Sequence, residues 1–101
     1  METSTAIGAL AALAQETRLA IFRALVRAGP EGLAAGAIAE AVGAPASTLS
    51  FHLKELANAG LVKSRQESRF IYYSADYGAM SDLVGFLTES CCAGRKQRRA
   101  S

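Results

Sequence analysis

The sequence is short of the side chains that enzymes most often use for covalent or acid–base chemistry. Its 101 residues include one histidine and two cysteines. It contains no glycine-rich phosphate-binding loop, and no nucleophile stands at a recognisable spacing from a base. We therefore predict a protein that is not an enzyme and whose function is binding rather than catalysis.

Long apolar runs are also missing. Charged residues such as Glu16 and Arg23 interrupt the longest stretches well before the length of about 20 residues that a membrane-spanning helix needs. Residues 1–18 show neither a basic flank nor a clear signal-cleavage pattern. We expect a cytoplasmic protein that is not in a membrane. Because cytoplasmic thiols are kept reduced, the two cysteines are not expected to form a structural disulfide.

A strongly basic overall surface is absent as well. The net charge is +2, and residues 93–101 contain four basic residues and no acidic one. Residues 1–92 therefore hold seven basic against nine acidic residues, a net charge of −2. Any nucleic-acid partner must be bound by a local patch. We predict one folded domain over residues 1–92 and a basic tail over 93–101 that is expected to be disordered.

The pattern of apolar residues predicts four helices within the first 60 residues. Apolar side chains recur at intervals of three and four, which places them on one side of each helix. Gly29 and Pro30 end the second helix, and Gly60 ends the fourth. The stripes comprise Ile7, Leu10, Ala11 and Ala14, then Leu19, Phe22, Leu25 and Val26, then Ile38 and Val42 within Ala35–Val42, and finally Leu49, Leu53 and Leu56. In the second helix the stripe is expected to face inward, and Arg18, Arg23 and Arg27 mostly outward.

The sequence pattern changes after Gly60 from helical periodicity to β-prone segments. Residues 61–65 and 69–74 are rich in β-prone side chains and flank residues 66–68, which predicts a hairpin. A last helix is predicted from about Tyr77 to Ser90. Its apolar face comprises Met80, Leu83, Val84 and Leu87. The predicted fold class is mainly α with a small β-hairpin, a winged helix-turn-helix in the order α-α-α-α-β-β-α.

The fourth helix has the features of a helix that reads DNA. Small hydroxyl side chains stand at its start and leucines take the opposite stripe, so its backbone can approach base edges and phosphates closely. Residues 45–75 hold four basic and two acidic residues, which makes this part mildly basic. Basic side chains on the hairpin would flank the minor groove and neutralise phosphate charge. The candidate DNA-contacting residues are Ser47, Thr48, Ser50, His52, Lys54, Lys63, Arg65 and Arg69.

Three positions in this helix have a second interpretation. Ser47 could instead be the helix cap, with no role in DNA binding. His52 stands beside leucines and could simply form a hydrogen bond within the fold. Phe51 could lie in the core or at a dimer contact, or it could touch a thymine methyl group.

Residues 47–74, STLSFHLKELANAGLVKSRQESRFIYYS, resemble the ArsR/SmtB family of winged-helix transcriptional repressors. The similarity is to that family's S-x-x-S-x-H-L-x-x-L-x-x-A-G-L-V motif, followed by a basic hairpin that ends in aromatic-Tyr-Ser. Upstream, residues 16–25, ETRLAIFRAL, are similar to the family's T-R-L-x-I-L-x-x-L helix. The resemblance covers about residues 7–92. It departs from the family at the hairpin tip, where Ser68 stands in place of a glycine.

The resemblance implies a homodimer that binds a palindromic operator in double-stranded DNA and leaves it when an inducer binds. The dimer interface would be formed by the first and last helices. Two-fold symmetry would place the two reading helices about one turn of DNA apart, roughly 34 Å. The interface residues would be Ile7 and Leu10 together with Met80, Leu83, Val84 and Leu87.

Cys91 and Cys92 are adjacent near the predicted end of the last helix. Two neighbouring thiolates can close on one soft, thiophilic atom, with release of protons. The alternative interpretation is a pair of small apolar residues buried at the dimer seam. A further alternative is a redox-sensing repressor in which the two cysteines form a disulfide, although a disulfide between neighbours is strained and easily reduced.

Among the inducer sites of the family, the cysteine pair resembles that of the arsenic-responsive branch, in which trivalent arsenic or antimony binds thiolates. The third helix has no cysteine, and the last helix offers only Asp76, Asp82 and Glu89 where the family's zinc site needs histidines with acids. Zinc, cadmium and nickel are therefore not expected as inducers.

Because the chain has only two cysteine sulfurs, two versions of an arsenical site are possible. Arsenite ideally takes three sulfurs, and the chain provides Cys91 and Cys92 alone. Either the inducer is an organoarsenical such as methylarsenite, which needs two thiols, or thiols from both subunits combine. The arsenical is the only ligand that we expect, since DNA binding requires no cofactor.

Overall fold

The computed structural model describes residues 1–90 and confirms the winged helix-turn-helix fold. Cys91, Cys92 and the predicted tail over 93–101 lie outside the described residues. Within residues 1–90 the five predicted helices and the hairpin are present, together with one additional short strand. The elements are α1 (Thr3–Leu13), α2 (Glu16–Ala28), β1 (Leu33–Ala34), α3 (Ala35–Val42), α4 (Ala46–Asn58), β2 (Val62–Glu67), β3 (Phe70–Ala75) and α5 (Tyr77–Thr88).

The boundaries of the central helices follow from local chemistry. The Gln15 side chain caps α2 by accepting a hydrogen bond from the backbone N–H of Arg18 at 2.8 Å. Gly43 ends α3 in the left-handed conformation, with φ of 69°, which glycine adopts without steric cost. Pro45 immediately precedes α4, and its fixed φ suits the start of a helix. These ends set a break of only three residues between α3 and α4.

The core lies where α2, α3 and α4 meet the base of the hairpin. Its largest fully buried side chains are Ile21, Leu25, Ile38, Leu56 and Leu61. Residues from α2, α3 and α4, together with Leu61 just before β2, therefore share one apolar centre. Burial of this kind is the main term that stabilises a small domain. Because α4 contributes Leu56 to this centre, its outer side is held in a fixed orientation on the domain.

The sheet has three strands in the order β1-β3-β2, all antiparallel. The hairpin is longer than predicted, because residues 66 and 67 pair with Ile71 and Phe70 and only Ser68 and Arg69 remain in the turn. β1 was not predicted, since a strand of two residues has no detectable alternation. It pairs with β3 at Tyr72 and Tyr73. Gly32 allows this approach, because a Cβ there would overlap the carbonyl oxygen of Tyr73.

Three expectations about the helices are corrected. In α2, Leu19 is 43% exposed and the inward positions include Ile21 instead, which is fully buried. Arg18, expected mostly outward, is half-buried and hydrogen-bonded. The last helix ends at Thr88 rather than Ser90. The shift in α2 has a physical reason: its apolar arc is wide, and α2 packs against α1, α3, α4 and β3, which selects the side containing residue 21.

The first helix buries only its small residues. Ala6, Ala9 and Ala12 face the domain, whereas Ile7 and Leu10 are 61% and 41% exposed. Alanines let α1 approach its neighbours closely, because they carry no side chain beyond Cβ. The larger side chains of the predicted stripe are thus left uncovered in a single copy of the chain. Among residues 1–90, no helix combines the length and the apolar composition that a membrane crossing requires.

Candidate nucleic-acid interface

The exposed side of α4 carries a continuous stripe of candidate residues, which we call the reading stripe: Ser47, Ser50, Phe51 and Lys54. These positions are spaced by three and four residues, so they lie on one side of the helix. All four are exposed. The opposite side is formed by Leu49, Leu53 and Leu56, which are at most 3% exposed. The helix is therefore fixed to the domain by one face and presents two serines, Phe51 and Lys54 on the other.

The start of α4 is not capped by a side chain. Pro45 occupies the capping position, so the interpretation of Ser47 as the helix cap is wrong. Thr48 donates its hydroxyl hydrogen to the carbonyl oxygen of Pro45 at 3.2 Å, which leaves the lone pairs of the hydroxyl oxygen outward. The first N–H groups of a helix have no acceptor within the helix, and a phosphate oxygen is a suitable partner for them.

His52 and Phe51 are neighbours in sequence but lie in different environments. His52 is half-buried, and its Nδ1 lies 3.4 Å from Nη1 of Arg18, so the hydrogen-bonded interpretation of His52 has a partner in the fold. Phe51 is 58% exposed, which excludes the core interpretation of this residue. The two rings meet edge to face, with centroids 5.6 Å apart. Phe51 thus belongs to the reading stripe, while His52 borders it.

The hairpin presents all three basic residues, but Arg69 is in the turn rather than on the second strand as predicted, and Arg65 is paired. Lys63 and Arg65 are two residues apart in β2, so they lie on the same face of the strand. Arg69 follows in the turn. Arg65 Nε donates to Glu67 Oε2 at 2.8 Å, and its guanidinium lies 5.1 Å from the centre of the Tyr72 ring. The role of Glu67 was missed at the level of the sequence, where an acidic residue two positions along a strand gives only a weak signal.

Exposed apolar side chains also lie away from the reading stripe, on α1 and α5. Val84 and Leu87 of α5 are 55% and 57% exposed, although Leu83 on the same helix is buried. A groove of about 470 Å³ lies between α2 and α5. Its apolar lining residues are Leu13, Leu19, Phe22, Val26, Leu61, Met80, Leu83 and Val84, and Arg23 and Arg27 also line it. A surface of this composition is typical of a protein–protein interface.

Metal-binding side chains do not cluster in the part of the chain that the structure describes. Residues 1–90 contain no group of three or more His, Cys, Asp or Glu side chains placed to hold a metal ion. The predicted arsenical ligands, Cys91 and Cys92, follow the end of α5 by three and four residues and lie outside the described range.

Comparison with known proteins agrees with this geometry. A family model described as a helix-turn-helix domain matches residues 13–65. The nodulation protein NolR of Rhizobium meliloti is 38% identical over 88 residues, which are 87% of this chain and 70% of NolR.

Two solved structures are similar over most of their length. The crystal structure of NolR from Sinorhizobium fredii has a TM-score of 0.69 at 38% identity, covering 85% of this chain and 83% of that one. The homodimeric winged helix-turn-helix DNA-binding domain of Mb0332 from Mycobacterium bovis, a possible ArsR-family transcriptional regulator, has a TM-score of 0.67 at 29% identity, covering 88% and 82%. The chain therefore belongs to the helix-turn-helix family, as a DNA-binding transcriptional regulator of the ArsR-like winged-helix type.

Proposed function

We propose that this chain is a cytoplasmic, homodimeric repressor that binds a palindromic operator and releases it when a trivalent arsenical binds Cys91 and Cys92. The observation that carries the DNA-binding half of the proposal is the reading stripe on α4. Its side chains, two serines, a phenylalanine and a lysine, are exposed, and a row of buried leucines fixes the helix behind them. An α-helix presented in this way fits the major groove of B-DNA.

The hairpin supports the proposal as a wing beside the reading helix. β2 follows α4 after a short connection and packs against it, so the two elements hold a fixed relation to each other. Lys63, Arg65 and Arg69 are exposed on this wing and can neutralise phosphates in the adjacent groove. Base edges would then be read by α4, while the wing sets the position of the domain along the duplex.

The dimer is supported by the uncovered apolar surface. Exposed apolar surface is present at Ile7 and Leu10 on α1, at Val84 and Leu87 on α5, and in the groove between α2 and α5. Exposed apolar patches often mark protein–protein interfaces. A second copy related by two-fold symmetry would cover this surface on both partners at once. The similarity to a homodimeric domain points the same way. Two α4 helices would then face successive major grooves, about 34 Å apart.

The inducer half of the proposal rests on the chemistry of the cysteine pair. Thiolates are soft ligands that bind trivalent arsenic with release of protons. Cys91 follows the last residue of α5 by three positions, and α5 carries part of the proposed dimer surface. An arsenical bound there would act next to the interface that sets the distance between the two reading helices. Release requires that the ligand favour the non-binding arrangement, with a coupling of about 1–3 kcal/mol or more.

The two versions of the site predict different inducers. A monomethyl or aryl arsenical needs two thiols, which the local pair provides within one subunit. Arsenite ideally needs a third sulfur, which would come from the partner subunit. The local pair explains the organoarsenical more simply. A disulfide between the same two cysteines remains the competing mechanism, and its signature is a mass loss of about two hydrogens under mild peroxide in parallel with loss of DNA binding.

The DNA-binding half is tested by placing a carboxylate on the reading stripe. Ser50→Glu should weaken binding to the duplex upstream of the gene at least about tenfold, because the new charge would face the phosphates and the groove. Ala28→Glu is the control, since Ala28 is also exposed within a helix and lies outside the reading stripe, the wing, α1 and α5. Fluorescence anisotropy measures both. Equal binding by wild type and Ser50→Glu would contradict the placement of α4 in the groove.

A further inference from the structure

Arg18 connects three elements of the domain. Its backbone N–H donates to Gln15 Oε1 at the start of α2. Its Nε donates at 2.7 Å to the carbonyl oxygen of Ala12, one of the last four carbonyls of α1, which have no donor within the helix. Its Nη1 lies 3.4 Å from Nδ1 of His52 in α4. A positive charge at this end of α1 is also favourable for the helix dipole. One half-buried side chain thus joins α1, α2 and the reading helix.

The contact with Arg18 defines what His52 can do on its other side. A guanidinium has only N–H donors, so Nδ1 of His52 has to accept. A neutral imidazole that accepts at Nδ1 carries its proton on Nε2, the ring nitrogen farther from the backbone. His52 lies one turn after Thr48, next to the reading stripe. Its Nε2–H is then a donor suited to a phosphate oxygen, and the ring brings no net charge to that contact.

We propose that Arg18 is a positioning residue for DNA binding: it holds His52 so that Nε2–H donates to a DNA phosphate, and it ties the reading helix to the end of α1. This inference rests on the proposed DNA-binding function. Arg18 itself does not contact DNA in this arrangement, because its guanidinium is engaged by the Ala12 carbonyl oxygen and by His52. The residue therefore acts on affinity through the orientation of another side chain.

Salt dependence separates a positioning residue from a cation that touches phosphate. Each phosphate neutralised by a bound cation contributes about −0.9 to the slope of log K against log salt, whereas a neutral donor contributes nothing to it. Arg18→Met and Lys63→Met each remove one positive charge from each subunit. If Arg18 only positions His52, Arg18→Met loses affinity without a change of salt slope, whereas Lys63→Met loses affinity with a shallower slope. This comparison of slopes does not require knowledge of the operator contacts in advance.

The experiment measures binding of the full-length chain to the duplex upstream of its gene, by fluorescence anisotropy at several salt concentrations. Arg18→Met should weaken binding about five- to a hundredfold with the slope unchanged, as expected for loss of one hydrogen bond in each of two subunits. Lys63→Met should make the slope shallower by about 0.9 per subunit. His52→Gln should retain more affinity than His52→Asn, because only the longer amide places an N–H near the position of Nε2.

Each contrary result has a definite meaning. Wild-type affinity in Arg18→Met, or a slope as shallow as that of Lys63→Met, would overturn the inference while leaving the proposed function in place. No binding by the wild-type chain would overturn both. Thermal unfolding of each variant shows whether Arg18→Met still folds. If it does not, the His52 pair decides, since equal losses in His52→Gln and His52→Asn would overturn the role given to Nε2.

Discussion

At the scale of single residues, Ser68 occupies the most restrictive backbone position of the wing. It is the first of two residues in the turn between paired Glu67 and Phe70, and its φ is 60°. Positive φ at this position alone is the pattern of a type II′ turn, which favours glycine. The family that the sequence resembles has glycine here. The serine is accepted because the strands on both sides continue their pairing up to the turn.

Replacement of Ser68 by glycine should therefore stabilise the domain. Ser68→Gly removes the steric cost of the left-handed conformation, and we expect the free energy of unfolding to rise by up to about 1 kcal/mol. Ser64→Gly is the matched control, because Ser64 lies within β2 with an ordinary strand backbone, and its loss should lower stability by roughly 0.5–1 kcal/mol. Urea denaturation monitored by circular dichroism measures both. A less stable Ser68→Gly would contradict this account of the turn.

Residue-level reasoning from the sequence succeeded where a side chain acts alone. Exposure of Ser47, Ser50 and Lys54 followed from their position opposite the leucines of α4. The sequence could not show that Arg18 and His52 meet, because they are 34 positions apart and the packing of α2 on α4 brings them together. The pairing of Arg65 with Glu67 was also beyond the sequence, since it depends on the strand extending through both residues.

At the scale of elements, the sequence predicted which side of α4 faces the domain but not which side of α1 does, for opposite reasons. In α4, leucines recur at helical spacing on one side and mostly polar residues occupy the opposite side, so only the leucine side can be buried. In α1, apolar residues occur on all sides, and the periodicity does not select a face. Packing selects it: the smallest side chains, Ala6, Ala9 and Ala12, let the helix lie closest to its neighbours. Ile7 and Leu10 are then left outward, where a second copy can cover them.

Within the wing, the carboxylate of Glu67 partly cancels the positive charge of Arg65. The Arg65–Glu67 pair is exposed, with 40% and 60% of the side chains accessible, so it contributes at most about 1 kcal/mol to stability. Near DNA the same carboxylate repels phosphates and competes for the Arg65 guanidinium. Tyr72 lies beneath the guanidinium and can keep it extended without the acid.

Removal of that acid should strengthen DNA binding. We expect Glu67→Gln to raise operator affinity about two- to fivefold and to steepen the salt dependence, because Arg65 becomes available for a phosphate. Glu2→Gln removes the same charge just before α1 and should leave affinity unchanged. Anisotropy titrations at two salt concentrations measure both. Weaker binding by Glu67→Gln would show instead that the carboxylate holds Arg65 in its binding position.

At the scale of the whole molecule, the proposed dimer surface on α1 and α5 and the DNA-reading surface on α4 and the wing belong to different elements. Contacts between copies through α1 and α5 would leave α4 and the wing open to DNA. This separation allows one event at the dimer interface to change the spacing of two reading helices without altering the helices themselves.

A charge within the apolar surface should therefore abolish both the dimer and high-affinity DNA binding. Ile7→Glu or Leu87→Glu places a carboxylate where a second copy would pack, and each should give a monomer in analytical ultracentrifugation. Because Ile7 and Leu87 are exposed in the single chain, far-UV circular dichroism should show a fold that remains intact. Ala28→Glu is again the control and should stay dimeric. A dimeric Ile7→Glu with unchanged operator affinity would contradict the proposed interface.

The proposed regulator is an operator-binding repressor that an arsenical releases through two thiols. The most direct measurement is release of an operator duplex, followed by fluorescence anisotropy, as arsenite, a monomethyl or phenyl trivalent arsenical, and zinc are titrated against wild type, Cys91→Ser and Cys92→Ser. We predict release by the organic arsenical at a far lower concentration than by arsenite, no response to zinc, and loss of the response in both serine variants. Serine variants that respond like wild type, or a wild type that no arsenical releases, would contradict the claim.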